Sequence, residues 1–186
     1  MSAVFVITGP SGVGKGTLIR ALRERCRDLE LSVSATTRDP RAGEVDGLDY
    51  HFLSDAEFDE RIAAGDFLEH AAYSGHRFGT LKSEVRRRAQ AGAAVVLEIE
   101  VQGARQVRAA MPEAVTIFIA PPSEAALHAR LVGRGTDPAD QVHARLATAR
   151  AELEARDEFR HQVINDRLED AVAELVEIVR GYTGSP

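Results

Sequence analysis

One segment constrains this chain more than any other. A β-branched and aromatic run from Ala3 to Thr8 is followed at once by Gly9-Pro10-Ser11-Gly12-Val13-Gly14-Lys15-Gly16-Thr17, and then by Leu18, Ile19, Leu22 and Cys26 at helical spacing. Strand, glycine loop and helix in that order are the signature of a phosphate-binding loop, in which backbone N–H groups and a helix N-terminus surround phosphate oxygens. Glycines suit it because the backbone must approach the anion closely and turn through positive φ. Of the 23 basic residues only Lys15 and Lys82 are lysine, so a lysine at the one place where a compact, mobile ammonium suits phosphates is informative. One position departs from the usual pattern. Gly16 stands where a Ser or Thr normally follows the lysine, so an Mg²⁺-binding hydroxyl must come from Thr17 or act through water.

The rest of the chain alternates apolar runs with helical periodicity. Short strands are expected at Leu31 to Ser34, Phe67 to Tyr73, Ala94 to Ile99, Val115 to Ile119 and Gln162 to Ile164. Helices are expected after a capping box at Ser54-Asp55-Ala56-Glu57, at Lys82 to Ala91, at Val101 to Met111 and from Ser123 to Val132. A long helix then runs to about Arg160, and a last one covers Glu169 to Arg180. Continuous apolar strands alternating with helices predict an α/β fold with a parallel sheet covered on both faces. The polar stretch Ala35 to Leu48 has no periodicity and is expected to be a working loop. Cys26 continues the Leu18 and Leu22 face, and Arg86, Arg87 and Arg88 are expected to be solvated.

Composition excludes several classes. The 186 residues suffice for one domain with an inserted lobe, and 44% apolar with 28% charged residues is a globular balance. A single cysteine rules out an internal disulfide and a cysteine-built zinc site. A net charge of −6 argues against a nucleic-acid polymer as partner. No apolar stretch approaches the ~20 residues a bilayer needs, and the first apolar run breaks at Gly9 without a basic leader; no membrane association and a cytoplasmic location are the expectation.

The motifs Ser34-x-Thr36-Thr37-Arg38-x-Pro40-Arg41-x-Gly43-Glu44-x-x-Gly47-x-Asp49-Tyr50-x-Phe52, Phe67-Leu68-Glu69, Gly79-Thr80, Gln102-Gly103, Ala120-Pro121-Pro122, Gly133-Arg134-Gly135-Thr136 and Asn165-Asp166 follow the P-loop in order. Together they closely resemble guanylate kinases over nearly the whole chain. The resemblance implies a P-loop nucleotide kinase with a parallel-sheet core (1–34 and 82–186), an inserted GMP-binding lobe (35–81) and a lid segment (133–145). It implies an ATP:GMP phosphotransferase with Mg²⁺, ATP as donor and GMP as acceptor; oligomeric state stays open.

The residues suit those substrates. Arg38 and Arg41, three apart on a loop shaped by Pro and Gly, can converge on one phosphate, with the Tyr50 hydroxyl as a third donor. Guanine offers an acceptor at O6 and donors at N1 and N2, so its pocket needs hydroxyl donors and a carboxylate; the resemblance gives these roles to Ser34, Thr80 and Glu69. Glu98 and Glu100 end the Val95-Val96-Leu97 strand, where one carboxylate can orient Mg²⁺ or its waters and the other reach the acceptor nucleoside. The family usually has Asp in place of Glu100. Arg130, Arg134 and Arg145 flank or occupy the Gly133 to Asp140 loop and are expected to clamp the migrating phosphoryl beside Lys15. Asn165, the only asparagine, is a turn residue or, by resemblance, a neighbour of the donor base.

Phe78 stands where the family commonly has a tyrosine that donates to the GMP phosphate, and adjacent Arg77 should face the opposite way. Two other functions compete: a kinase for a sugar phosphate, which would not need Glu69, and a non-catalytic guanylate-kinase-like module binding phosphopeptides, which would not need Lys15.

Overall fold

The computed structural model of the protein describes residues 2–73, 75–132 and 139–184. Its centre is a five-stranded parallel sheet. The strands are β1 (Val4–Thr8), β2 (Leu29–Leu31), β7 (Ala94–Glu98), β8 (Val115–Ala120) and β9 (His161–Ile164), in the order β2-β7-β1-β8-β9. β1 pairs in parallel with β7 on one side and with β8 on the other; the connection out of β1 runs toward the β2 edge and that out of β8 toward the β9 edge, so the strand order switches between β1 and β8. Ligands of open α/β sheets bind at such a switch point, beyond the carboxyl ends of the strands.

Both faces of the sheet are buried, which is why its strands are apolar without alternation. Phe5 and Ile7 of β1 face one cluster with Leu18, Ile19 and Leu22 of α1 (Lys15–Arg25) and Val172, Leu175 and Val179 of α7 (Leu168–Thr183). Val4 and Val6 face the opposite cluster. It includes Val85 of α3 (Lys82–Gln90) and Ala104 and Val107 of α4 (Val101–Ala110). Helices α5 (Glu124–Val132) and α6 (Ala139–Glu154) pack on each other through Leu127, Leu131 and Ala149.

A second, four-stranded sheet holds β3 (Ser34–Thr36), β4 (His51–Phe52), β5 (Phe67–Tyr73) and β6 (His76–Leu81), in the order β4-β3-β6-β5. Helix α2 (Asp55–Ala63) covers one face through Phe58, which stacks on Phe67 with ring centroids 4.4 Å apart. The Ser54–Glu57 capping box is formed, with Ser54 accepting from Glu57 N–H and Glu57 accepting from Ser54 N–H.

Three expectations need correction. The single strand expected at Leu31 to Ser34 is two strands in different sheets, β2 ending at Leu31 and β3 starting at Ser34, because the chain crosses there from one sheet to the other. The long helix expected to run to Arg160 ends at Glu154 and continues as a 3₁₀ turn, Ala155–Glu158, which turns Ala155 and Phe159 into the core. Arg88 is not solvated: only 7% of it is exposed, and it pairs with Glu84 and, at 3.4 Å, with Glu30. Cys26 caps α1 and packs against the core, and burial raises its thiol pKa, as suits a packing residue.

Candidate active site

A cavity of about 580 Å³ opens beyond the carboxyl ends of β1 and β7 and extends under the second sheet. Gly9, Gly12, Gly14, Lys15, Gly16 and Thr17 line one end; Ser34, Tyr50, Glu69, Phe78 and Gly79 line the other. Glu98 and Glu100, which follow both groups in sequence, also line the cavity. The sheet thus brings together groups that are far apart along the chain.

The loop between β1 and α1 has the geometry expected of a phosphate cradle. Gly14 caps α1 at φ +97°, a conformation that L side chains rarely adopt. A Cβ at Gly9 would collide with the Ile119 carbonyl of β8, so the loop can lie against the sheet only without one. Lys15 Nζ donates to Gly9 O at 2.6 Å, which keeps the ammonium over the loop. Asn165, expected beside the donor base, and Arg130, expected to clamp the migrating phosphoryl, are both found bonded to the loop backbone or to each other. Asn165 Nδ2 donates to Val13 O at 2.8 Å, and Arg130 Nη2 donates to Asn165 O at 2.8 Å with Nη1 3.4 Å from Val13 O. Arg145 Nη2 donates to Ser11 Oγ at 3.2 Å. Arg134 lies outside the described residues.

At the other end Glu69 is 4% exposed and accepts from Thr80 Oγ1 at 2.7 Å; the two residues are register partners across β5 and β6. Burial, and then the charge of Glu100, push the Glu69 carboxyl up to about 7, against the Thr80 hydrogen bond that lowers it. Gly103 allows this proximity, since a Cβ there would overlap Glu69 Oε2. Glu100 has a structural task that its sequence position concealed. It is the N-cap of α4, accepting from Gln102 N–H and Gly103 N–H at 2.6 Å each. Glu98 belongs to the phosphate end, 3.9 Å from where a Gly16 Cβ would lie. Burial raises its carboxyl, and Lys15 opposes the rise.

The arginine loop is tied by a residue that sequence reasoning passed over. Glu44 accepts from Arg38 Nη2 at 2.8 Å and from the Arg41 N–H at 2.7 Å, so one carboxylate orders both arginine positions. Arg38 lies 5.3 Å from the Tyr50 ring centroid and Arg41 is exposed; neither lines the cavity, whereas Tyr50 does. Burial, and then the Glu98 charge, raise the Tyr50 phenol, so its hydroxyl stays a donor. Phe78 meets Tyr50 edge-on with centroids 6.1 Å apart, and Arg77 points away from the cavity onto Asp55, Asp59 and the Phe58 ring. The position of Glu44 three residues after Arg41 was its only signal; Glu152, on the cavity wall, gave none.

Five carboxylates (Asp49, Glu69, Glu98, Glu100, Glu152) line the cavity against Lys15 and Arg20.

The sequence pattern of the family described as guanylate kinase matches residues 1–182 of this chain. The chain belongs to the guanylate kinase family. It is 53% identical to the curated guanylate kinase of Mycobacterium tuberculosis (strain CDC 1551 / Oshkosh) over 186 residues, covering 98% of this chain and 89% of that protein. It is 55% identical to the guanylate kinase of Gloeobacter violaceus over 172 residues, covering 92% and 84%. Among solved structures it is similar to the guanylate kinase of Anaplasma phagocytophilum, with a TM-score of 0.78 at 28% identity, over 99% of this chain and 87% of that one. No described helix of the chain is long and apolar enough to cross a membrane.

Proposed function

We propose that the protein is an enzyme that transfers the γ-phosphoryl group of ATP to GMP. An oxygen of the GMP phosphate attacks the γ-phosphorus, the bond to the β–γ bridging oxygen breaks, and ADP and GDP leave. The observation that carries this reading is that one cavity joins an intact phosphate loop with Lys15 to the buried Glu69–Thr80 pair. A sugar-phosphate kinase would not need a buried Glu69, and a phosphopeptide module has no use for Lys15.

At the donor end the loop amides and Lys15 hold the phosphates of ATP, with Asn165 and Arg130 keeping the loop in shape. At the acceptor end Ser34 offers a hydroxyl, Thr80, which does not itself line the cavity, holds Glu69 through its own hydroxyl, and ionised Glu69 accepts from the guanine N1 and N2 donors. Tyr50, Arg38 and Arg41 take the GMP phosphate as the lobe of residues 35–81 closes. Lys15, Arg145 and, by resemblance, Arg134 steady the migrating phosphoryl, for which little covalent chemistry is required of the protein.

Mg²⁺ suits the residues present. The Thr17 hydroxyl and the Glu98 carboxylate are hard oxygen donors at the phosphate end, and this ion takes one or two such groups plus phosphates and waters. When bound, it neutralises charge on the β- and γ-phosphates. That charge also answers the excess of carboxylates around the cavity. ATP and GMP as small-molecule substrates, rather than a nucleic-acid polymer, fit a cavity of this size, and a single cysteine fits a cytoplasmic setting.

A coupled assay with ATP and each nucleoside monophosphate tests the reading. GMP should exceed AMP in kcat/KM by ~10⁴-fold, because adenine lacks the paired N1 and N2 donors that the buried Glu69 carboxylate is placed to accept. Comparable values for AMP or CMP would remove the guanine assignment.

A further inference from the structure

One donor of the phosphate loop is already taken. The Ser11 N–H, on the cavity wall, donates to Glu152 Oε2 at 3.3 Å. Glu152 lies on α6 two turns after Arg145, on the same face, with the buried Ala149 between them. Both side chains converge on one residue: Arg145 on the Ser11 hydroxyl, Glu152 on the Ser11 amide. Helix α6 therefore docks on the loop through one cation and one anion.

The anion is the informative half. The N-terminus of α1 and the Lys15 ammonium make this loop a place where negative charge is stabilised. Glu152 is half-buried there: burial raises its carboxyl, the Lys15 charge and the Ser11 N–H oppose that rise, Glu100 at the N-cap of α4 adds to it, and Arg145 lies on the same helix as Glu152. Glu124, on the neighbouring helix α5, pairs with Arg150, and Glu158, in the 3₁₀ turn after α6, pairs with Arg105. Glu152 pairs instead with a backbone donor of the phosphate site.

We propose that Glu152 is an internal competitor for the phosphate-binding loop, occupying the Ser11 amide until the terminal phosphates of a nucleoside triphosphate displace it. The inference rests on the kinase reading given above and adds a residue to it. A triphosphate and a carboxylate cannot share the same donors at contact distance without strong repulsion, so binding of one expels the other. Displacement breaks one of the two contacts that hold α6 on Ser11. Nucleotide occupancy and the position of α6, which carries Arg145, are thereby linked, and the linkage works in both directions.

The test is Glu152→Gln, which keeps shape and helix propensity and removes the charge, with Glu152→Ala as a second variant and thermal melts to verify folding. Binding of ATP is measured by calorimetry, once with Mg²⁺ and once with a chelator. Both variants should bind ATP roughly tenfold more tightly than the wild type under both conditions, with GMP affinity unchanged. Unchanged or weaker ATP binding overturns the proposal. Weakening confined to the Mg²⁺ arm also overturns it, by assigning Glu152 to the metal. On the wild-type chain, a crystal structure with a non-hydrolysable ATP analogue should show Glu152 beyond hydrogen-bond reach of Ser11 N–H, and a retained contact refutes the competition. A wild-type chain that neither binds ATP nor phosphorylates GMP would refute the kinase reading itself, a result distinct from a functioning wild type whose variants bind no better.

Discussion

Replacing Glu69 by glutamine should stabilise the free protein at pH 8 while damaging it as a GMP kinase. In the unfolded chain this carboxyl titrates in the ordinary range; in the folded chain, buried beside Thr80 and Glu100, it titrates at about 7. Between those values the folded state holds a proton that the unfolded state releases. The group's favourable contribution is therefore complete below the unfolded pKa and is lost as pH rises through about 7. A shift of that size corresponds to about 3 kcal/mol for the ionised form. Glutamine keeps the acceptor for Thr80 and never ionises. Its melting temperature should exceed that of the wild type by about 5–10 °C at pH 8 and match it at pH 4.

GMP binding should move the other way. Guanine needs the carboxylate, so wild-type affinity for GMP should weaken about tenfold from pH 8 to pH 6 as Glu69 takes up its proton. In the variant, the loss of a charged acceptor should raise the KM for GMP about 10- to 100-fold at pH 8. Because the GMP phosphate also titrates near pH 6, the variant's own profile serves as the baseline. Thermal melts and GMP titrations of both proteins from pH 4 to 8 decide the matter. Parallel profiles for the two proteins, with the same difference in melting temperature at every pH, would falsify the assignment of Glu69 as a proton-dependent acceptor.

Three further outcomes are expected. Lys15→Ala should abolish turnover with little change in melting temperature, since the ammonium contacts loop carbonyls and not the core; near-native turnover in the coupled assay would contradict the phosphate-loop reading. Phe78→Tyr should lower the KM for GMP about tenfold or more with kcat nearly constant, because its ring faces the cavity beside Tyr50 and a new hydroxyl there adds a donor for the GMP phosphate. An unchanged or higher KM would place the phosphate elsewhere. Ser54→Ala, which removes the hydroxyl that accepts from Glu57 N–H and leaves the backbone N–H of residue 54 donating to Glu57, should cost about 1 kcal/mol in urea denaturation, and no measurable loss would mean that α2 does not depend on its side-chain cap.

The sequence by itself determined the elements whose cause is local. The β1 run, the glycines after it and the lysine that opens α1 are adjacent in the chain, and the conformations they require are set by sterics and hydrogen bonding within a few residues. The same holds for the Ser54–Glu57 box and for β5, which spans Phe67–Tyr73 as expected. The opposite orientation of Arg77 and Phe78 followed from strand alternation alone. The tertiary structure decided everything that depends on which distant residues meet. Leu31 and Ser34 differ little as strand formers, and only the pairing of β2 with β7 and of β3 with β6 splits them between two sheets. Glu69, Glu98, Glu100 and Glu152 are alike in sequence as charged residues on regular elements. Folding makes one a buried acceptor beside Thr80, one a neighbour of the phosphate loop, one a helix cap and one a ligand of the Ser11 amide. Arg88 became buried for the same reason, because Glu84 and Glu30 converge on it. A carboxylate's pKa and task are properties of its dielectric surroundings and its partners, and both come into existence only when the chain closes around it.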